Sequence, residues 1–225
     1  FFFRIERMRG YDYYLIDLDG TLIDSSGLIV ACFQHVLKNV IGINMTDAEV
    51  KKTIGKPLRQ QYKEIGEQHQ IPCDESVVES WAQAHFEHQI NHWEGNVVLY
   101  PGVKEALEVL KNKGKKLAIV TSRTRHTAEL FTRSLGIFDY FDAFLTPEST
   151  TKHKPHPGPA LKALELLGGS AKDSLFVGDA LWDIKCGAAA GMHTAYITYA
   201  KDAPYAFEDD FPTYRITNMM DVVQF

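Results

Sequence analysis

The chain has 225 residues, 45% of them apolar, 12% aromatic and 24% charged. That suits one globular domain, or one domain carrying an insert, and it excludes disordered, collagen-like and fibrous classes. Twenty-four basic against 29 acidic residues leave a net charge of −5, which argues against nucleic acid as a partner held by bulk positive charge. Cys32, Cys73 and Cys186 are too few and too far apart for a disulfide framework or a zinc site, so a reducing, cytoplasmic setting is expected.

Residues 1–9 open on three phenylalanines, but Arg4, Glu6 and Arg7 interrupt them before the ~7–15 apolar residues of a signal peptide accumulate. Met8 offers a natural start, and this stretch is set aside from the functional reading. No window approaches the ~18 continuous apolar residues of a membrane span, so no membrane partner is expected. Tyr13–Ile16 is a short, unalternating apolar run that ends at Asp17, the pattern of a strand buried on both faces.

From 24 to 95 no good strand run occurs. Helices are predicted over Leu28–Val40, Thr46–Lys52, Leu58–Gln68 and Glu75–His92, with Thr46 and Glu49 forming a capping box. His85, His88 and His92 recur at helical spacing, but Glu87 and Gln89 lie among them and no acid completes a ligand set. They read as a solvated stripe. The stretch as a whole reads as a separate helical domain or lid, residues 24–95, set into a core built from 10–23 and 96–225.

Beyond it, strands and helices alternate. Apolar runs at Leu117–Val120, Ala143–Leu145, Leu175–Val177 and Thr194–Ile197 are separated by amphipathic stretches at Val103–Lys113, His126–Leu135, Pro159–Leu167 and Asp183–Ala190. Each stretch stops at or beside a glycine. The pattern is that of an α/β protein with a doubly wound parallel sheet.

In such a sheet, ligands bind outside the carboxyl ends of the strands where the strand order reverses. The polar residues that end the runs are Asp17-Leu18-Asp19-Gly20-Thr21, Thr121-Ser122-Arg123, the loop around Lys154, and Gly178-Asp179 with Asp183 four residues on. Four carboxylates converging there beside one ammonium cannot all ionise without a further counter-charge. A hard divalent cation such as Mg²⁺ supplies one and bridges to phosphate. Phosphoryl chemistry is the expectation.

These motifs resemble those of the haloacid dehalogenase-type phosphatase superfamily. Asp17 to Leu22 is similar to its Asp-x-Asp-Gly-Thr motif, Val120-Thr121-Ser122 to its strand ending in a hydroxyl, Lys154-Pro155-His156-Pro157 to its Lys-Pro-x-Pro loop, and Gly178-Asp179 through Asp183 to its Gly-Asp-x-x-x-Asp motif. The helical insert, with Ile54-Gly55-Lys56-Pro57-Leu58, resembles the α-helical cap of the phosphoglycolate phosphatase and β-phosphoglucomutase branch. Ser122 and His153 depart from that branch, where Asn and Gly are common.

The resemblance implies a set of roles. Asp17 would be the nucleophile and Asp19 the general acid and base. Thr121 and the backbone of Ser122 would hold phosphate oxygens, and Lys154 would offset charge. Mg²⁺ would be bound by Asp17, the carbonyl of Asp19 and Asp179, with Asp183 behind them. Lys56, Arg59 and Arg123 are the candidate contacts for an anionic substrate.

The implied activity is a Mg²⁺-dependent phosphatase acting on a small phosphorylated metabolite such as phosphoglycolate, as a monomer or homodimer. Inorganic pyrophosphatase, sugar phosphomutase and a phospho-accepting switch domain stand as alternatives. Asp19 argues against a dehalogenase, which has no acid at that position.

Overall fold

A computed structural model describes residues 10–53, 56–199 and 212–225. In chain order the elements are β1 (Tyr13–Ile16), β2 (Ile23–Asp24), α1 (Ser26–Val36), α2 (Asp47–Lys51), α3 (Leu58–Gln68), α4 (Glu75–His92), β3 (Val98–Leu99) and α5 (Val103–Asn112). Then come β4 (Lys116–Val120), α6 (Arg125–Ser134), β5 (Ala143–Leu145), α7 (Gly158–Leu167), β6 (Ser174–Gly178), α8 (Leu181–Ala189), β7 (His193–Ile197) and β8 (Tyr214–Ile216). Short helical turns at Leu37–Ile41, Phe138–Tyr140, Pro147–Ser149 and Ala171–Asp173 fill connections, and a six-residue 3-10 segment, Met219–Gln224, follows β8.

Six strands form one sheet in the order β5-β4-β1-β6-β7-β8, and β2 pairs with β3 in a second, two-stranded sheet. Every neighbouring pair in the large sheet is parallel, with Ile16 opposite both Ile119 of β4 and Val177 of β6. The chain fills one side of β1 with β4 and β5, then crosses to its other side for β6, β7 and β8. The strand order therefore reverses at β1. Burial explains why these strands carry continuous apolar runs: Leu15, Val120 and Phe176 share one core with Ala160, Ala163 and Leu164 of α7 and Cys186 of α8. α5 turns Val103, Ala106, Leu107 and Leu110 inward, the spacing of one helix face.

The contacts divide the chain into two compact units, one running to Ile23 and resuming at Leu99, the other Asp24–Val98. The second unit has its own core, in which Phe33, Val36, Tyr62, Ile65, Val78 and Trp81 pack together. The Thr46–Glu49 capping box opens α2 as the sequence predicts, the Thr46 N–H donating to Glu49 Oε2 at 2.7 Å and the Glu49 N–H to Thr46 Oγ1 at 3.3 Å.

Three expectations need correction. The helix predicted over Leu28–Val40 is α1 followed by one π-helical turn, Leu37–Ile41, which Gly42 ends in the left-handed conformation. α8 starts at Leu181, ahead of the predicted Asp183. His85 does not belong to a solvated stripe: it is 4% exposed, and its Nδ1 shares a 2.9 Å hydrogen bond with the Tyr62 hydroxyl. His88 and His92 lie outside that core and stack on each other, with His35 on the far face of His88. Residues 1–9 and the Ile54-Gly55 part of the predicted cap turn lie outside the described residues.

Candidate active site

β1 sits between β4 and β6, so the residues that follow these three strands share the carboxyl edge of the sheet at the point where its order reverses. Asp17 follows β1 and continues the ladder, its N–H donating to the Val177 carbonyl at 2.9 Å, while the Thr121 N–H, just past β4, donates to the Leu145 carbonyl at 2.9 Å. Asp179 follows β6, and Asp183 lies on the first turn of α8. There the Asp183 Oδ2 accepts the Ala180 N–H at 3.1 Å, a carboxylate placed where helix starts favour negative charge.

Lys154 ties the strands together. Its Nζ donates to Asp17 Oδ1 at 2.7 Å, to Asp183 Oδ1 at 2.6 Å and to the Val120 carbonyl at 3.1 Å. All three ammonium protons are thus placed. Burial by itself would lower the Lys154 pKa, but the two carboxylates outweigh it and hold the ammonium charged, its pKa above the ordinary lysine value.

One cation does not neutralise three acids. Oxygens of Asp17, Asp179 and Asp183 lie within 4.8 Å of one another. Burial, then Asp183 and Asp179, raise the Asp17 pKa well above the usual carboxylate value despite Lys154. Burial and Asp183 likewise push Asp179 up to about 7, against the pull of Lys154 and of Thr21, whose Oγ1 donates to Asp179 Oδ1 at 3.2 Å. Such a cluster of hard oxygens with excess negative charge suits a divalent cation of the Mg²⁺ type, which prefers carboxylates and restores their ionised form. Both Asp183 oxygens already hold protein donors, which fits a supporting place for it.

The backbone around the cluster leaves no room for other residues. Gly20 has φ +83°, and a Cβ there would collide with the Asp179 carboxylate. The turn that carries Asp19 therefore requires glycine on two independent grounds.

Asp19 is not one of the three clustered acids. Its carboxylate receives Arg123 Nε at 2.8 Å and Nη2 at 2.6 Å. The Arg123 backbone N–H donates to Thr121 Oγ1 at 3.0 Å, which leaves the Thr121 hydroxyl proton to be donated elsewhere. Ser122 lines a cleft with Thr121, Lys154, Thr146, Thr150 and His153.

The structure thus brings Asp17, Asp19, Thr121, Ser122, Arg123, Lys154, Asp179 and Asp183 to one end of one unit. Lys56 and Arg59 belong to the other unit, where Lys56 pairs with Glu64 at 2.6 Å and Arg59 Nη2 with Glu79 at 2.8 Å. Sequence reasoning gave Thr21 no role, although its place in the first motif marks it. It also passed over Thr146 and Thr150, which carry no motif and reach the cleft only through the fold.

The family model for haloacid dehalogenase-like hydrolases matches residues 14–197. The protein called "Putative pyrophosphatase PpaX" in Clostridium perfringens is 37% identical over 185 residues, 82% of this chain and 83% of that protein. Pyrophosphatase PpaX of Oceanobacillus iheyensis is 33% identical over 93% of this chain and 94% of its own length. Among solved structures, "a predicted phosphoglycolate phosphatase" from Haemophilus somnus superposes with a TM-score of 0.85 at 26% identity, covering 96% of this chain and 98% of that one.

Proposed function

Because the chain belongs to the haloacid dehalogenase-like hydrolase family, we propose that it is a Mg²⁺-dependent phosphohydrolase that works through a phosphorylated Asp17. The observation that carries this reading is the meeting of Asp17, Asp179 and Asp183 oxygens within 4.8 Å beside the Lys154 ammonium. The buried carboxylate of Asp17 attacks phosphorus, and the bond to the leaving oxygen breaks. That oxygen takes its proton from Asp19. In the second step water attacks the same phosphorus and passes a proton to Asp19. Asp17 and orthophosphate are released, for a net consumption of one water.

Thr121 donates its hydroxyl proton, and Ser122 its backbone N–H, to the phosphoryl oxygens. Lys154 stays charged throughout and offsets the charge that builds on those oxygens. The carboxylates of Asp17 and Asp179 and the carbonyl of Asp19 are assigned to Mg²⁺, with Asp183 behind them. When bound, the ion supplies the positive charge that keeps the acids ionised and steadies the transferring group.

The helical unit is assigned the part of a cap that selects substrate, with Lys56 and Arg59 as its candidate basic contacts. Inorganic pyrophosphate is the substrate that the pyrophosphatase relatives, 33–37% identical, support. A small phosphomonoester such as phosphoglycolate is the second reading, supported by the Haemophilus somnus structure. The test is orthophosphate release from pyrophosphate, phosphoglycolate and a panel of sugar phosphates, each with Mg²⁺ and with chelator. The reading expects metal-dependent release from at least one of them, highest on pyrophosphate. Isomerised sugar phosphate in place of free phosphate would assign a mutase instead, and full turnover in chelator would contradict the metal role.

A further inference from the structure

Arg123 carries a basic side chain next to the phosphate-holding residues, the position at which a substrate contact would be sought. Its geometry says otherwise. Nε donates to Asp19 Oδ2 at 2.8 Å and Nη2 to Oδ1 at 2.6 Å, and such a fork fixes the plane of a carboxylate as well as its place. The fork is held in turn. Its guanidinium carbon lies 4.6 Å from the centre of the Phe131 ring on α6, a cation–π contact. The Arg123 side chain is 6% exposed against 20% for Asp19. The better anchored partner is the arginine, so the arginine positions the acid.

The backbone of the same residue acts on Thr121, which lines the cleft. Its N–H occupies a lone pair of Thr121 Oγ1 at 3.0 Å and so turns the hydroxyl proton outward. One residue, in the turn between β4 and α6, sets both the acid that would move protons and the hydroxyl that would hold phosphate.

We propose that Arg123 is a positioning residue that aims the Asp19 carboxyl in both half-reactions, and not a ligand of the substrate. This deepens the phosphohydrolase reading and rests on it. A general acid or base acts only within hydrogen-bond reach of its proton, and loss of aim by ~1 Å costs on the order of 100-fold in rate. Asp19 lies in the half-buried turn between β1 and β2, tied there by a single backbone bridge to Ile23, and the fork is the contact that fixes its carboxyl.

The test loads the enzyme with acetyl phosphate and Mg²⁺ and follows the decay of phosphorylated Asp17 in wild type, Arg123→Met, Arg123→Lys, Asp19→Asn and the Asp19→Asn/Arg123→Met double variant. Steady-state kcat and KM on p-nitrophenyl phosphate accompany it. Arg123→Met is expected to slow decay by roughly 10- to 100-fold with KM little changed, and Arg123→Lys to recover part of the loss. In the Asp19→Asn background Arg123→Met should cost nothing further, because its effect passes through the missing carboxylate.

A raised KM with unchanged kcat, or an equal loss in the Asp19→Asn background, overturns the proposal. Should Arg123→Met fail to fold, Arg123→Lys keeps the charge without the fork, and its non-additivity with Asp19→Asn decides the same question. Wild type that never acquires the phosphoryl group would instead overturn the function proposed above.

Discussion

Lys154 and Asp17 form the contact on which the site depends, and each has its own expected failure. Lys154→Met leaves Asp17 and Asp183 buried without their ammonium, at 2.7 and 2.6 Å from where it stood. Removing one partner of a buried pair costs about 3–5 kcal/mol, so denaturant unfolding should show a loss of that size in the metal-free protein. Asp17→Asn does the reverse. It takes away a carboxylate that burial, Asp183 and Asp179 all disfavour in its charged form. Phosphate release should vanish while the metal-free melting temperature holds or rises, which paired activity and melting assays check. At this scale the sequence is a good guide to residues that end strands, because a carboxylate beside a buried strand end has to be answered by something. It is a poor guide to pairings across distance. Nothing in the local pattern of Asp19 or of Thr121-Ser122-Arg123 announces that the arginine closes on the first motif's second acid.

The elements show the same division between signals that are local and contacts that are not. Tyr13–Ile16, Leu117–Val120 and Leu175–Val177 are legible because strands buried on both faces need unbroken apolar runs. β8 is not legible: it is three residues long, with the exposed Arg215 between Tyr214 and Ile216, and only its place beside β7 makes it a strand. The π-helical turn after α1 follows from a shift in backbone hydrogen bonding that the side chains do not encode. On α4 the spacing of His85, His88 and His92 defines a face without saying which way it points, and the first of the three points into the core. That contact makes a prediction. His85→Ala strips the buried Tyr62 hydroxyl of its partner among apolar neighbours. An orphaned buried donor costs about 1–3 kcal/mol, and the cavity adds to it. Hydrogen exchange should show the helical unit opening more readily in this variant, while unchanged protection in α1, α3 and α4 would count against the role given to the pair.

For the molecule as a whole, the charge balance of the sheet edge couples stability, pH and metal. In the absence of a cation the folded state holds a proton on Asp179 up to about pH 7, where the unfolded chain releases it near ~4. The folded state therefore binds more protons in that window, and its stability falls as pH rises through it. The contribution is complete below the unfolded value and lost above the folded one. A divalent cation held by the ionised acids, as proposed, would release that proton, so its affinity should rise over the same window. Mg²⁺ should raise the melting temperature more at pH 8 than at pH 5.5, with chelator cancelling the difference. Equal shifts at both values would mean that the acids titrated in the folded protein are not the ones that hold the ion.

The central claim is that one acid of this cluster, Asp17, becomes phosphorylated during turnover. Its most direct test is to quench the enzyme during turnover with Mg²⁺ and substrate, trap acyl phosphate by borohydride reduction, and map the modified peptide. The account predicts reduction at position 17 and at no other carboxylate, lost in Asp17→Asn and in chelator. Turnover with an unmodified Asp17, or trapping at Asp19, Asp179 or Asp183, would contradict it.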